Sequence, residues 1–393
     1  MYFVNRAWWL AIILGMIVLS ACATTEASGN AATVTPTPEV VSFATVAPAT
    51  ATPLPPTNTP LPTPKPQPTA TPAPTVAPTP TDIIRTENEN PLTGLPVDPQ
   101  VFTRQPLHVR IGNDAAARPQ IGLLQADVVY EELVEWYVTR FTAVFYGNAP
   151  EMVAPIRSAR LINTQLTQQY DAALVNSGAS DPVRWQLSQL PIINLDEYFV
   201  PQPYFYREGE TAWQRRLAVN LVKAHDYLEK EDLLHSVQLR GFAFADEPPK
   251  NAAPAETIFI DYPAKANKVL WQFNAETGLY ERFNAGELQI DGATDAPIAV
   301  PNVIVYFAKH YETDIVEDST GATSVGIDVN GEGEAWVFRD GMMVKGRWQT
   351  DGTQTPQFFT AEGTLIPLKR GQTWIEVVPT DYDILVNELP ADE

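Results

Sequence analysis

From Thr35 to Thr81 the chain is built almost entirely from Pro, Thr, Ala and Val, as in "TPLPPTNTPLPTPKPQPTATPAPTVAPTPT". Proline fixes φ and removes a backbone donor, so this stretch supports neither a helix interior nor a central strand and favours extended polyproline II. It also has few of the large apolar side chains from which a core is made, Phe43, Leu54 and Leu61 among them. At ~3.1 Å per residue it would reach on the order of 150 Å if straight. We read it as a stalk that holds a body away from its attachment. A generic disordered linker is the alternative, and either gives reach. Globular sequence must then lie between about Asp82 and Leu389 of the 393 residues, which is long enough for two cores.

Ahead of the stalk, Arg6 precedes "AWWLAIILGMIVLSA", an apolar run too short for a comfortable membrane span. It ends in "LSAC", Leu19 to Cys22, which resembles the bacterial lipobox, where the cysteine is lipidated and the peptide is cut before it. Residues 1–22 are therefore read as a lipoprotein signal peptide and 23–84 as a disordered Pro/Thr-rich stalk. The expected location is extracytoplasmic, anchored to the cell membrane through Cys22. An ordinary export signal with a chance cysteine is the competing reading. Cys22 is the only cysteine, so the body has no disulfide, thiol nucleophile or cysteine metal site. With 26 basic and 47 acidic side chains the formal charge is -21, which argues against nucleic acid and against attachment to anionic lipid by charge alone.

In the body, "LHVRIG" (107–112), "ADVVYEELV" (126–134) and "VTRFTAVFYG" (138–147) read as strands, the last two as a hairpin through "EWY". A helix is expected from Ala159 to Tyr170 with Ser158 as its cap, then a strand at 172–178 and helices over 180–190 and 218–234. After "DEPPKNAAPAE" (246–256) apolar and polar residues alternate, and Asp340-Gly341 marks a hairpin. The expected fold class is α+β: a mixed sheet layered with helices in an N-terminal α/β domain (85–245), followed by a β-rich C-terminal domain (255–385).

"NPLTGLPVD" (90–98), "NDAAARPQIGLLQADVVYEELVE" (113–135), "TRFTAVFY" (139–146) and "APIRSAR" (154–160) resemble the YerB-like lipoproteins, a bacterial family whose domain is of unknown function. "PNVIVYF" (301–307), "GEGEAWVFRDGMMVKGRW" (331–348) and "GQTWIEVVP" (371–379) resemble its C-terminal portion. The resemblance implies a two-part extracytoplasmic body behind a lipid anchor, and no reaction. Where relatives usually show Asn-His-Pro this chain has Asn113-Asp114-Ala115, and where they show Ala-Pro-His-Asn it has Leu217-Ala218-Val219-Asn220. A histidine acting in acid–base chemistry at either place is missing here.

Arg157 and Arg160 flank the expected cap, where a helix start is already partly positive. A guanidinium fork suits carboxylate or phosphate, and backbone N–H groups at a helix start favour the same ligands. The candidate ligand-binding set is Asn113, Arg118, Arg140, Arg157, Ser158, Arg160, Ser177 and Asn220, taking an anionic or polyhydroxylated cell-envelope component. Glu131, Glu132 and Glu135 offer a competing role for the arginines, as partners in an internal ion-pair network. Two other functional classes stand open. One is a wall-polymer hydrolase or transferase using Glu131, Glu132 or Asp171 as acid or base. The other is an assembly partner presenting an apolar patch of the β-rich part. No catalytic residue is assigned and the reading leans against an enzyme. No pattern calls for a cofactor or metal: "DVNGEGEAWVFR" (328–339) has Arg339 where a calcium loop needs glutamate. Trp336, Trp348 and Trp374 read as core rather than as a sugar-stacking face.

Overall fold

The computed structural model describes Ile83 and residues 85–389. The signal peptide with Cys22, and the stalk up to residue 82, lie outside the described residues.

The first half runs β1 (Leu107–Gly112), β2 (Val128–Leu133), β3 (Thr139–Phe145), α1 (Asn163–Gln169), β4 (Ala173–Asn176), α2 (Asp181–Ser188), β5 (Ile193–Asp196), β6 (Tyr204–Tyr206), α3 (Trp213–Arg216), β7 (Leu217–Val219) and α4 (Leu221–Lys230). The second half is nearly all strand: β8 (Ala253–Pro254), β9 (Thr257–Ile260), β10 (Val269–Asn274), β11 (Leu279–Asn284), β12 (Glu287–Leu288), β13 (Ala299–Val300), β14 (Asn302–Val316), β15 (Thr323–Asp328), β16 (Gly331–Arg339), β17 (Met342–Thr350), β18 (Gln357–Phe359), β19 (Thr373–Pro379) and β20 (Ile384–Val386). The fold is α+β with a mixed sheet and a β-rich C-terminal part.

A twelve-stranded sheet runs β18-β17-β16-β14-β19-β2-β3-β1-β4-β5, with β15 added to β14 and β8 to β17. A six-stranded sheet runs β12-β11-β10-β9-β20, with β13 on β11, and β6 pairs with β7. β2 and β3 form the expected antiparallel hairpin, and β16 and β17 pair across Asp340-Gly341. β19 lies parallel to β2, so segments 85–245 and 255–385 both contribute strands to the large sheet.

Both faces of that sheet are covered. On one face Leu107, Val109 and Ile111 share an apolar cluster with Ile258, Ile260, Trp271 and Tyr280 of the six-stranded sheet. On the other, Tyr130, Ile304, Ile375 and Val377 pack with Ile162 and Leu166 at α1. Strand residues alternate between faces, so the polar positions of β1, β2 and β19 are also enclosed. Trp348 and Trp374 are core, as expected, while Trp336 is half-buried with Lys345 Nζ 3.5 Å from its ring centre. The expected helix at 218–234 begins later: residues 217–219 are β7, and the Asn220 side chain caps α4 by accepting from Lys223 N at 2.9 Å.

Candidate functional site

The helix expected from Ala159 begins only at Asn163. Residues 157–159 run extended between the ends of β1 and β4: Arg157 N donates to Arg110 O at 2.9 Å, Ser177 N to Arg157 O at 3.0 Å, and Ala159 N to Gly178 O at 2.9 Å. These bonds to neighbouring chain satisfy backbone groups that a helix would have turned inward on itself. Ser158 is not a cap, and its hydroxyl donates to Ser177 O at 3.0 Å.

The arginines meet internal acceptors. Arg160 Nε donates to Glu135 Oε2 at 2.7 Å and lies 3.3 Å from Glu317. Arg140 donates to Glu135 Oε1 at 3.0 Å and to Ser158 O at 3.2 Å. Burial alone would raise the Glu135 pKa, but Arg160 and Arg140 hold it down at about 2. Arg157 pairs with Asp114 at 3.3 Å, donates to Gln214 O at 2.7 Å and lies over the Trp213 ring. Ser177 Oγ donates to Glu197 at 2.5 Å. Asn220, engaged at its own helix, belongs to none of these contacts.

Beneath them lie three fully buried glutamates. Glu132 pairs with Arg110 on one face of the sheet. On the other, Glu131 pairs with Arg282 of β11, whose guanidinium sits among Phe141, Trp271 and Trp374 at 5.6, 5.7 and 5.1 Å from their ring centres. Asn113 donates to Glu131 at 3.0 Å and to Thr139 at 2.8 Å. Glu376 stands beside Glu131 in the β19–β2 register and accepts from Trp271 Nε1 at 2.8 Å and Tyr262 Oη at 3.0 Å. Burial, then the Glu131 charge, push the Glu376 carboxyl up to about 8. Glu131 and Glu132 are 0% exposed, which seals them from any polymer substrate. Asp171 is exposed, 3.3 Å from His235 Nε2.

Arg118 differs from the other candidates. Its Nη2 donates to Asn113 O at 2.8 Å and Ala266 O at 2.7 Å, and its Nε to Asn113 Oδ1 at 3.2 Å. Among the described residues these partners are all neutral. Burial lowers its pKa to about 10, so it stays charged at neutral pH. Arg118 lines a pocket of about 370 Å³ with Pro119, Asn284, Glu287, Gln289 and Ile290. Asn284 is only 4% exposed, and neither Oδ1 nor Nδ2 has a hydrogen-bond partner. Such orphaned atoms at a pocket wall are uncommon in folded proteins. Asn284 and Glu287 flank the tight β11–β12 turn, where Ala285 and Gly286 both take positive φ, 51° and 82°. Sequence reasoning missed Asn284, Glu287 and Gln289, since "FNAGELQ" signals only a turn.

Two family matches fall on the described residues. Residues 92–234 match the family described as protein of unknown function (DUF3048), N-terminal domain, and 258–375 match its C-terminal domain. The chain belongs to this family, that of the YerB-like proteins. It is 28% identical over 299 residues to YerB of Bacillus subtilis strain 168, named a lipoprotein, a match covering 74% of this chain and 86% of that one. The crystal structure of YerB from Bacillus subtilis shares the fold, with a TM-score of 0.66 at 24% identity over 76% of this chain and 99% of the other. Among the described residues no helix is long and apolar enough to cross a membrane.

Proposed function

We propose that the chain is an extracytoplasmic lipoprotein, anchored through Cys22 and projected by its stalk, whose body binds an anionic or polyhydroxylated cell-envelope ligand without converting it chemically. The observation that carries this reading is Arg118, a charged guanidinium at a pocket whose protein partners are carbonyl and amide oxygens only. A cation in that setting is completed by an anion, in a charge-assisted bond about twice as strong as a neutral one. Arg140, Arg157 and Arg160 stabilise the scaffold instead, so binding is assigned to Arg118, with Asn113 positioning it. The reading as an assembly partner has less support: the exposed aromatic residues Trp136, Tyr137, Trp185, Tyr198, Phe199, Tyr206 and Trp213 lie in the first half, and the β-rich part exposes Tyr311 alone of its described aromatic residues.

The test is isothermal titration of the full-length protein in detergent with acetate, phosphate, sulfate and neutral sugars, alongside Arg118→Ala. Saturable anion binding that disappears in a variant still unfolding cooperatively supports the reading. Equal binding by Arg118→Ala, or no binding of any probe, removes it.

A further inference from the structure

The same pocket carries a second charge. Glu287 lines it opposite in sign to Arg118, and the field of Glu287 reaches the guanidinium, yet no ion pair joins the two. Two opposite charges that share a cavity without touching leave room for a molecule bearing both signs. Asn284 lines the same pocket, and its side chain carries an unpartnered acceptor, Oδ1, and an unpartnered donor, Nδ2. A peptide group offers one N–H and one C=O, the complement of a primary amide. Pro119 and Ile290 add apolar wall suited to small side chains. The cavity, about 370 Å³, falls at the small end of the ~300–1,000 Å³ typical of small-molecule sites.

Resting on the anion reading of Arg118, we propose that the pocket binds a short peptide with free ends, of dipeptide size. Its carboxylate sits on Arg118, its ammonium faces Glu287, and its peptide group pairs with the Asn284 amide. A simple anion would satisfy Arg118 but leave Asn284 orphaned. A neutral sugar would leave both charges unanswered. The β10–β11 and β11–β12 pairings fix the Asn284 backbone from both sides, at Val269 and at Glu287.

The probes are alanyl-alanine, N-acetyl-alanyl-alanine, alanyl-alanine amide and acetate, titrated into the full-length protein in detergent. Alanyl-alanine is expected to bind at least tenfold more tightly than either blocked form. Glu287→Gln, at an exposed hairpin position, is expected to abolish the preference over the N-acetyl form. Asn284→Ala is expected to weaken alanyl-alanine far more than acetate. Equal binding of free and N-acetylated dipeptide overturns the zwitterion assignment, even with anion binding at Arg118 intact. If acetate and phosphate also fail to bind, the Arg118 reading itself falls, and the peptide assignment with it.

Discussion

Glu376→Gln should make the protein more stable at neutral pH, although it removes a buried ionisable group from a hydrogen-bonded cluster. Glu376 shares one buried cation, Arg282, with Glu131, and its carboxyl is raised from 4.5 to about 8 by burial and by the Glu131 charge. The folded state thus holds a proton that the unfolded chain releases once the pH passes about 4.5. The stabilisation associated with that proton is complete below the unfolded pKa and is lost as pH rises through the folded one. Each pH unit inside the window costs about 1.4 kcal/mol, so at pH 7 proton uptake costs the wild type about 3 kcal/mol. Glutamine reproduces the protonated acid at every pH. Its Oε1 accepts from Trp271 Nε1 as Glu376 does, and its amide donates to the Tyr262 oxygen in place of the bond that Tyr262 Oη donates to Glu376. Urea unfolding of both proteins at pH 5, 6, 7 and 8 gives the comparison. The variant should gain on the wild type by about 1 kcal/mol per pH unit and exceed it by about 2–3 kcal/mol at pH 7. Parallel pH profiles, or a variant less stable at pH 7, would mean that Glu376 is ionised in the fold and that Arg282 neutralises both carboxylates.

The remaining expectations concern the scaffold and the anchor. Arg160→Ala leaves buried Glu135 with Arg140 as its remaining close arginine and should cost about 3 kcal/mol in urea unfolding, whereas Arg157→Ala, whose Asp114 partner is partly exposed, should cost about 1 kcal/mol. Glu135 titrates in the opposite sense to Glu376. Its folded pKa is about 2 against 4.5 unfolded, so its contribution is present above 4.5 and is lost as pH falls toward 2. Glu135→Gln should therefore remove about 3 kcal/mol of acid-dependent stability, read as a flatter profile between pH 5 and 2. Gly346→Ala would drive a methyl group into the Phe359 carbonyl oxygen and should destabilise by about 3 kcal/mol, seen as a lower Tm. Cys22→Ser should move the protein from the detergent phase to the aqueous phase on partitioning.

Local pattern carried the strand assignments well. "LHVRIG" is β1 over the same residues, the hairpin through "EWY" formed, and Asp340-Gly341 joins β16 to β17. Where local pattern failed, long-range hydrogen bonding had displaced it. Ser158 ahead of a helix-forming run has the chemistry of a helix start, but backbone groups at the ends of β1 and β4 were available to the same segment, and the chain took them. The buried charges were hidden for a related reason. Alternation in "LHVRIG" suggests that His108 and Arg110 face water, which holds only if one face of the strand is wet. Here both faces are packed, and all six residues of β1 are buried. Nothing near Arg110 announces that Glu132 will neutralise it. Arg282, 151 residues from Glu131, lies in a hairpin whose alternation reads as ordinary surface. The same distance explains the pocket. Arg118 stood out because it lies in a motif shared with the family, while Asn284 and Glu287 matter only because β11 folds back over the loop after β1. An arginine whose acceptors are all neutral is a property of the folded molecule, and it separates Arg118 from Arg140, Arg157 and Arg160, which the sequence presents as equals.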